Sequence, residues 1–169
     1  MTAKYCPSPA AKQLMLSAVI LDTNLLLLLV VGSANVDKIK AHKRLKEHSP
    51  DSYRLLTLLL EHADHIILTP NIVTETSNLL RLGISDPDKS MLCRHFADLL
   101  GRSREEYTPS QAATVWPDFI RLGITDSAIS VLANDDISIL TADFDLYESA
   151  LRSGKRVVNF NHVREEHDV

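Results

Sequence analysis

Short apolar runs alternate along the chain with longer segments in which apolar residues recur at helical spacing. Residues 18–21 form the first run, and its continuous apolar character up to Asp22 is typical of a strand buried on both faces of a parallel sheet. Residues 66–68, 137–140 and 157–158 form similar runs. Because these strands alternate with helices, the pattern predicts an α/β fold with a mainly parallel sheet. Right-handed crossovers would then bring the carboxyl ends of the strands to one edge.

The segments between the runs carry helix start and stop signals. Ser49-Pro50 and Thr69-Pro70 each pair a capping residue with a proline suited to a first turn, while Gly83 and Ser153-Gly154 are helix stops. Residues 32–35 interrupt the first helical pattern, and residues 101–109 are a polar connector. The predicted helices cover residues 23–31, 36–48, 50–63, 70–81, 85–100, 110–122 with an interruption at Pro117, 124–134 and 144–152.

Length and composition indicate a single globular domain. The chain has 169 residues, of which 45% are hydrophobic and 24% charged, which is enough apolar material for one core. We expect a polar leader over residues 1–16, one domain over residues 17–161 and a tail over residues 162–169 that frays. Within the domain, the helical segment 83–117 is a candidate insertion.

The polar and charged residues exclude several classes of protein. Asp22 and Asn24 break the only apolar stretch long enough to cross a membrane, and the prolines of the leader do not fit a signal peptide. Cys6 and Cys93 form neither a disulfide framework nor a zinc motif. We therefore expect a soluble, cytoplasmic protein without a membrane partner.

Residues 36–48, called the basic segment below, depart from the overall charge. The whole chain has 18 Lys and Arg against 22 Asp and Glu, a net charge of −4 that gives no global sign of a nucleic-acid partner. The basic segment instead holds five cations against Asp37 and Glu47, and these cations are Lys38, Lys40, Lys43, Arg44 and Lys46. Phosphate contact and a solvated helix face are equally good interpretations of this pattern.

Four acidic residues are predicted to meet at the carboxyl edge of the sheet. Asp22 follows the first strand, Asp143 follows strand 137–140, Asp126 opens the helix before that strand, and Glu75 lies in the first turns of the helix after residues 66–68. Each alone has an ordinary explanation as a helix cap or an exposed helix residue. Together they would repel one another unless divalent cations bound them. Carboxylate oxygens suit Mg²⁺ or Mn²⁺, and such a site suggests metal-assisted phosphodiester hydrolysis.

The chain resembles the PIN-domain family of metal-dependent ribonucleases, which includes the VapC-type toxins of toxin–antitoxin pairs. The likeness extends over residues 18–160. It is carried by four stretches in the family's order, which are Val19-Ile-Leu-Asp22-Thr-Asn24, Thr74-Glu75, Thr125-Asp126-Ser-Ala-Ile129 and Ile139-Leu-Thr-Ala-Asp143.

This resemblance implies a three-layer α/β/α sandwich, an RNA substrate, a tendency to form a homodimer and, for a toxin, an antitoxin partner. It also implies that an acidic site holding Mg²⁺ or Mn²⁺ contains Asp22, Glu75, Asp126 and Asp143. Asn24 and Thr141 would position a carboxylate or water, and Asp145 is an alternative or additional last ligand. The leader and the long segment 83–117 depart from a compact toxin of this type, so the prediction of a nuclease is firmer than that of a toxin.

Two other functions stay open. A non-catalytic interaction module could retain the fold and use the acids as helix caps. A haloacid-dehalogenase-like phosphatase also places an Asp after its first strand, but it requires a second Asp where this chain has Asn24, which makes it the weaker alternative. The chain has neither a P-loop nor a nucleophile-elbow serine, and its scattered histidines suggest no catalytic or metal site.

Overall fold

The computed structural model describes residues 18–82 and 86–169. Its strands are β1 (Ala18–Leu21), β2 (Ile66–Leu68), β3 (Arg104–Glu105), β4 (Ile137–Thr141) and β5 (Val157–Asn159). Its helices are α1 (Thr23–Ala34), α2 (Pro50–Leu60), α3 (Pro70–Leu80), α4 (Asp86–Leu100), α5 (Ser110–Thr114), α6 (Phe119–Leu132), α7 (Phe144–Arg152) and α8 (Phe160–Glu166). The predicted leader, the helix stop at Gly83 and the helix start at Ser85 lie outside the described residues.

The five strands form one parallel sheet in the order β3-β2-β1-β4-β5. The chain builds outward from β1 to β3 and then returns to the other side of β1 with β4 and β5, so the topological switch point lies between β1 and β4. Ligands of open α/β sheets bind at such a point, outside the carboxyl ends of the strands. Helices flank the sheet, and this architecture confirms the predicted PIN-like three-layer α/β/α fold.

Helix α1 is the centre of the core. All seven residues from Leu25 to Val31 are buried, so the helix is apolar on every side and packs against α2, α3 and α4. A helix that is hydrophobic all round belongs inside a protein. Its N-terminus starts directly after Asp22, and the core therefore fixes the position of that carboxylate.

Among the described residues, no helix combines the length and the apolar character that a membrane span needs.

Most predicted elements are confirmed to within a few residues, including the capped starts at Ser49 and Thr69. Ser49 forms a capping box with Ser52, and the Thr69 hydroxyl accepts a hydrogen bond from the Ile72 amide. The predicted break at residues 32–35 was too early, because α1 continues through Gly32 to Ala34.

Two other segments differ from the prediction. Strand β3 lies in the predicted connector, and its two exposed residues carry no apolar signal. The predicted fraying tail is instead the helix α8 up to Glu166, which Asn159 caps and which buries Val163.

The basic segment does not form the predicted helix. Only Val36–Lys38 makes a 3₁₀ turn, after which the chain continues as successive turns in which every third residue is buried. The amides of Ile39, His42, Leu45 and His48 each donate to the carbonyl three residues earlier, at 2.9–3.2 Å. In an α-helix, a three-residue spacing would rotate each successive buried position by about 60°, placing the first and last on opposite faces. The spacing of the anchors therefore favours turns over a helix.

Candidate functional site

Asp22 follows β1, and its side chain is hydrogen-bonded to the end of β4, the neighbouring strand at the switch point. It is only 2% exposed, and its Oδ1 accepts a hydrogen bond from the Leu25 amide at 2.7 Å, which caps α1. Its Oδ2 accepts from the Thr141 hydroxyl at 2.5 Å and from the Ala142 amide at 2.7 Å, both at the end of β4. Thr141 thus positions this carboxylate, as the family resemblance implied. The same contacts leave Asp22 with a single orientation.

Asp143 and Glu75 come from the elements on either side of Asp22. The Asp143 carboxylate accepts from the Leu146 amide at 3.0 Å and caps α7, while its own amide donates to Thr141 at 2.9 Å. Glu75, on α3, accepts a hydrogen bond from the Thr23 hydroxyl at 3.1 Å. The contact of Thr23 with Glu75 was not predicted from the sequence. The position of Thr23, directly after Asp22 at the start of a helix, was the one feature that could have indicated it.

Asp126 reaches the site because α6 is kinked. Gly123 has φ +76°, a conformation that is strained for any residue with a Cβ atom, and the helix begins again after it. Asp126 lies within the first turn of this second part and is half-buried. Its carboxylate accepts no hydrogen bond from the residues that the structure describes, so capping explains Asp22 and Asp143 but not Asp126.

The four acids line one cavity of about 720 Å³, called the acidic cavity below. Asn24 also lines it, as the resemblance implied for a supporting residue. The predicted convergence of these side chains is therefore present in the structure, while their role as metal ligands stays a prediction. The other polar residues of the wall, which were not predicted from the sequence, include Asn71, Thr74, Asn78, Tyr107, Thr108, Ser110 and Thr125.

Two of the cavity acids, Asp126 and Asp22, have a raised pKa. Burial raises the pKa of Asp126 to about 7, and the nearby charges of Asp143, Asp22, Glu75 and Asp145 add to the effect. Burial also raises the pKa of Asp22. Its three hydrogen bonds act to lower this pKa, whereas the neighbouring charge of Asp143 acts to raise it. The Asp126 carboxyl therefore exchanges its proton near neutral pH when no cation is bound.

Asp145 lies outside the acidic cavity, although its charge is close enough to act on Asp126. Its side chain is 60% exposed and pairs with Arg121 of α6. By contrast, no ion pair within residues 18–82 and 86–169 involves any of the four cavity acids. The structure thus favours Asp143 over Asp145 as the acid of the cavity.

The donor set suits a hard divalent cation, but the side chains are not arranged as a finished site. Carboxylate oxygens without a cationic partner are the ligands that Mg²⁺ and Mn²⁺ prefer. Within the described ranges, however, no three acidic, histidine or cysteine side chains are arranged to hold a metal ion. A bound cation would therefore require a rearrangement of the acidic side chains.

Arg44 brings the basic segment to the acidic cavity. It is exposed, and it lines both this cavity and a second one of about 370 Å³. Tyr107 is the aromatic residue of the acidic cavity, with 72% of its surface exposed. Tyr107 could not be singled out from the sequence, because a lone tyrosine in a polar connector has no periodic context.

One of three comparisons with known proteins supports the fold. No protein-family model matches the chain, and no curated protein matches it. Among solved structures, the chain is similar to the crystal structure of FitAcB from Neisseria gonorrhoeae, with a TM-score of 0.55 and 16% sequence identity. The alignment covers 85% of this chain and 99% of that chain. At this identity the similarity is evidence for the fold alone, and it agrees with the PIN-like three-layer arrangement.

Proposed function

We propose that this chain is a divalent-metal-dependent ribonuclease that hydrolyses phosphodiester bonds of RNA at the acidic cavity. The observation that carries the proposal is the convergence of Asp22, Glu75, Asp126 and Asp143 on one cavity, with no cation paired to any of them among the described residues. Such a cluster is costly for folding, because burial and mutual repulsion disfavour the charged forms. A fold that retains this cost is expected to use it for function.

Mg²⁺ or Mn²⁺ would be held by these four acids. When bound, such an ion lowers the pKa of a coordinated water and offsets the charge that builds on a phosphodiester. The protein's own part is to position the acids: Thr141 and the Ala142 amide orient Asp22, and Thr23 orients Glu75. Asp126, whose pKa is about 7, would lose its proton when a cation binds beside it.

Single-stranded RNA fits the walls of the cavity better than a small phosphomonoester. Tyr107 presents an exposed ring, and aromatic rings stack on bases of single strands with little dependence on sequence. The volume of about 720 Å³ also exceeds what one phosphate group would need. These features also argue against the phosphatase alternative, which requires a second Asp at the position where this chain has Asn24.

The partners are proposed from the motif resemblance and the fold. Because the motifs resemble those of VapC-type toxins and the fold is similar to that of FitAcB, we propose a protein antitoxin as a partner of this chain. A homodimer is proposed on the family resemblance alone.

Two observations favour a second candidate, a non-catalytic interaction module. Asp22 and Asp143 both cap helices, and no metal-ready group of three side chains exists among residues 18–82 and 86–169. The unexplained acid is Asp126, which caps nothing and whose ionised form is disfavoured by its neighbours. For this reason we place the nuclease first.

Cleavage of random-sequence single-stranded RNA tests the proposal, with Mg²⁺, with Mn²⁺ and with EDTA. We expect cleavage with either metal and none with EDTA. Loss of even an outer-shell partner of a metal typically costs about 10- to 100-fold, so Asp22→Asn should lower the rate by at least about 100-fold. Asp145→Asn is the matched control, since it removes an acid that lies outside the cavity, and it should retain activity.

Circular dichroism verifies that each variant is folded. Cleavage at the wild-type rate by folded Asp22→Asn would reject the proposed mechanism. A wild-type protein that is folded yet inert with both metals would favour the interaction module.

A further inference from the structure

The turns of the basic segment separate its residues into an anchored set and an exposed set. Ile39, His42, Leu45 and His48 are buried at every third position. The positions between them are exposed, and they include Lys40, Lys43, Arg44 and Lys46. The segment is therefore a fixed loop that presents cations on its outer side, rather than a helix face or a flexible linker.

Three of these cations line a second cavity of about 370 Å³, called the basic cavity below. Lys43, Arg44 and Lys46 form its charged wall, against the single acid Glu47. No ion pair within the described residues neutralises any of the three. The net positive charge of the wall is thus available to an anion.

The opposite part of the wall is held in place by α8. The Asn161 side chain donates to the Ala142 carbonyl at 3.0 Å, and Arg164 donates both to Asn161 at 3.2 Å and to the Glu47 carbonyl at 2.9 Å. These bonds tie the loop to the end of β4. His48 also lines the cavity; it is 7% exposed, and its Nδ1 has no hydrogen-bond partner among the residues that the structure describes. The wall of the cavity is therefore held in place by hydrogen bonds, and His48 Nδ1 is a polar atom on it without a partner among the described residues.

The basic and acidic cavities adjoin each other, because they share lining residues. Asn24 and Arg44 line both of them. An RNA strand with one phosphodiester at the acids would therefore pass a neighbouring phosphate into the basic cavity, where lysines offset the repulsion that the acids exert on the strand.

We propose that the basic cavity binds the backbone phosphate adjacent to the scissile one, with Lys43 and Lys46 as its principal contacts. This inference rests on the proposed ribonuclease function and adds a second subsite to it. Efficient cleavage would then require at least one further phosphate beside the cleaved linkage. An acidic protein segment could bind the same cations. It would have no reason to extend past Asn24 and Arg44 to the carboxylates of the acidic cavity, so RNA is the better occupant.

Binding of fluorescein-labelled oligouridylate, followed by anisotropy in EDTA, tests the subsite without cleavage. Lys43→Ala and Lys46→Ala should each weaken binding by roughly fivefold. Each should also reduce the slope of log K against log salt by about 0.7, the value for one lost phosphate contact on a single strand. Lys40→Ala is the matched control, because Lys40 is an exposed lysine of the same loop that lines neither cavity.

Selective loss of binding in Lys43→Ala and Lys46→Ala supports the subsite. Equal effects of Lys43→Ala, Lys46→Ala and Lys40→Ala would overturn it, as would competition by polyglutamate as effective as that by unlabelled RNA at equal charge. If the selective loss occurs while the wild-type protein cleaves no RNA with metals, RNA-phosphate binding at the basic cavity stands and the ribonuclease proposal fails. If the wild-type protein cleaves RNA but no selective loss occurs, the ribonuclease proposal stands and the subsite fails.

Discussion

Asp126 is a cavity acid whose charge is controlled by its surroundings. It accepts no hydrogen bond from the described residues, it is half-buried, and four acidic neighbours oppose its ionisation. A cation in the acidic cavity would favour the ionised form, while its absence favours the proton. If the proposed metal binds there, Asp126 would therefore couple metal occupancy to pH.

The pKa of Asp126 predicts how stability depends on pH in EDTA. The folded pKa of about 7 lies above the ordinary 3.8, so between these values the folded state holds a proton that the unfolded state has released. The contribution of Asp126 to stability consequently falls as pH rises through this window and is lowest above pH 7. Asp126→Asn removes the cost, so its gain in Tm over the wild type should be larger at pH 8 than at pH 5.

Thermal unfolding of both proteins across this range measures the effect. Asp145→Asn, which removes an exposed acid paired with Arg121, should show a much smaller pH-dependent gain, because Asp145 is the weakest of the charges that act on Asp126. A gain for Asp126→Asn that is constant with pH would contradict the raised pKa.

At the scale of elements, α1 links the core to the site. Its buried side chains fix the helix, and its first turn fixes Asp22 and Thr23. Near its end, Gly32 lies against the ring of Tyr53 on α2. A Cβ atom added at Gly32 would lie 2.2 Å from Tyr53 Cδ2, far inside van der Waals contact.

Gly32→Ala should therefore destabilise the protein. Alanine favours a helix over glycine by about 1 kcal/mol, but overpacking of a closely packed contact costs about 1–3 kcal/mol, and the short distance places this case at the upper end. We expect a lower urea midpoint for Gly32→Ala. Gly101→Ala is the control, since its Cβ would meet only carbonyl oxygens at 3.6 Å and should shift the midpoint little.

At the scale of the whole molecule, the sheet order brings the site together. β1 and β4 are neighbours although about 115 residues separate them, and the switch point between them places Asp22 beside Asp143. Helices α3 and α6 add Glu75 and Asp126. Four separate parts of the chain are thus needed for one cavity, so binding there should stabilise the entire fold.

Metal binding should raise Tm through this linkage. A ligand at 100 times its dissociation constant adds about 2.7 kcal/mol, and each kcal/mol corresponds to about 2–4 °C for a chain of this size. We expect a shift of several degrees for the wild type and Asp145→Asn with Mn²⁺ at constant ionic strength. Asp22→Asn should show a much smaller shift, and an equal shift in all three proteins would place the metal elsewhere.

The predictable part of this protein depended on local signals. Apolar runs bounded by polar residues marked β1, β2, β4 and β5, and the caps at Ser49 and Thr69 marked helix starts, because these patterns act over a few residues. Strand β3 and the turns of the basic segment had no such signal. β3 exists only because β2 offers it hydrogen-bonding partners.

By itself, the sequence determined the α/β class, the parallel sheet and the identity of the acids that meet at its edge, since strand alternation and right-handed crossovers leave few arrangements. Only the tertiary structure decided which acid completes the cavity and what surrounds it. Asp143 and Asp145 are two residues apart along the chain, yet the cap of α7 holds one in the cavity and Arg121 holds the other outside. Side-chain direction and long-range contact separate them, and neither is encoded in local spacing.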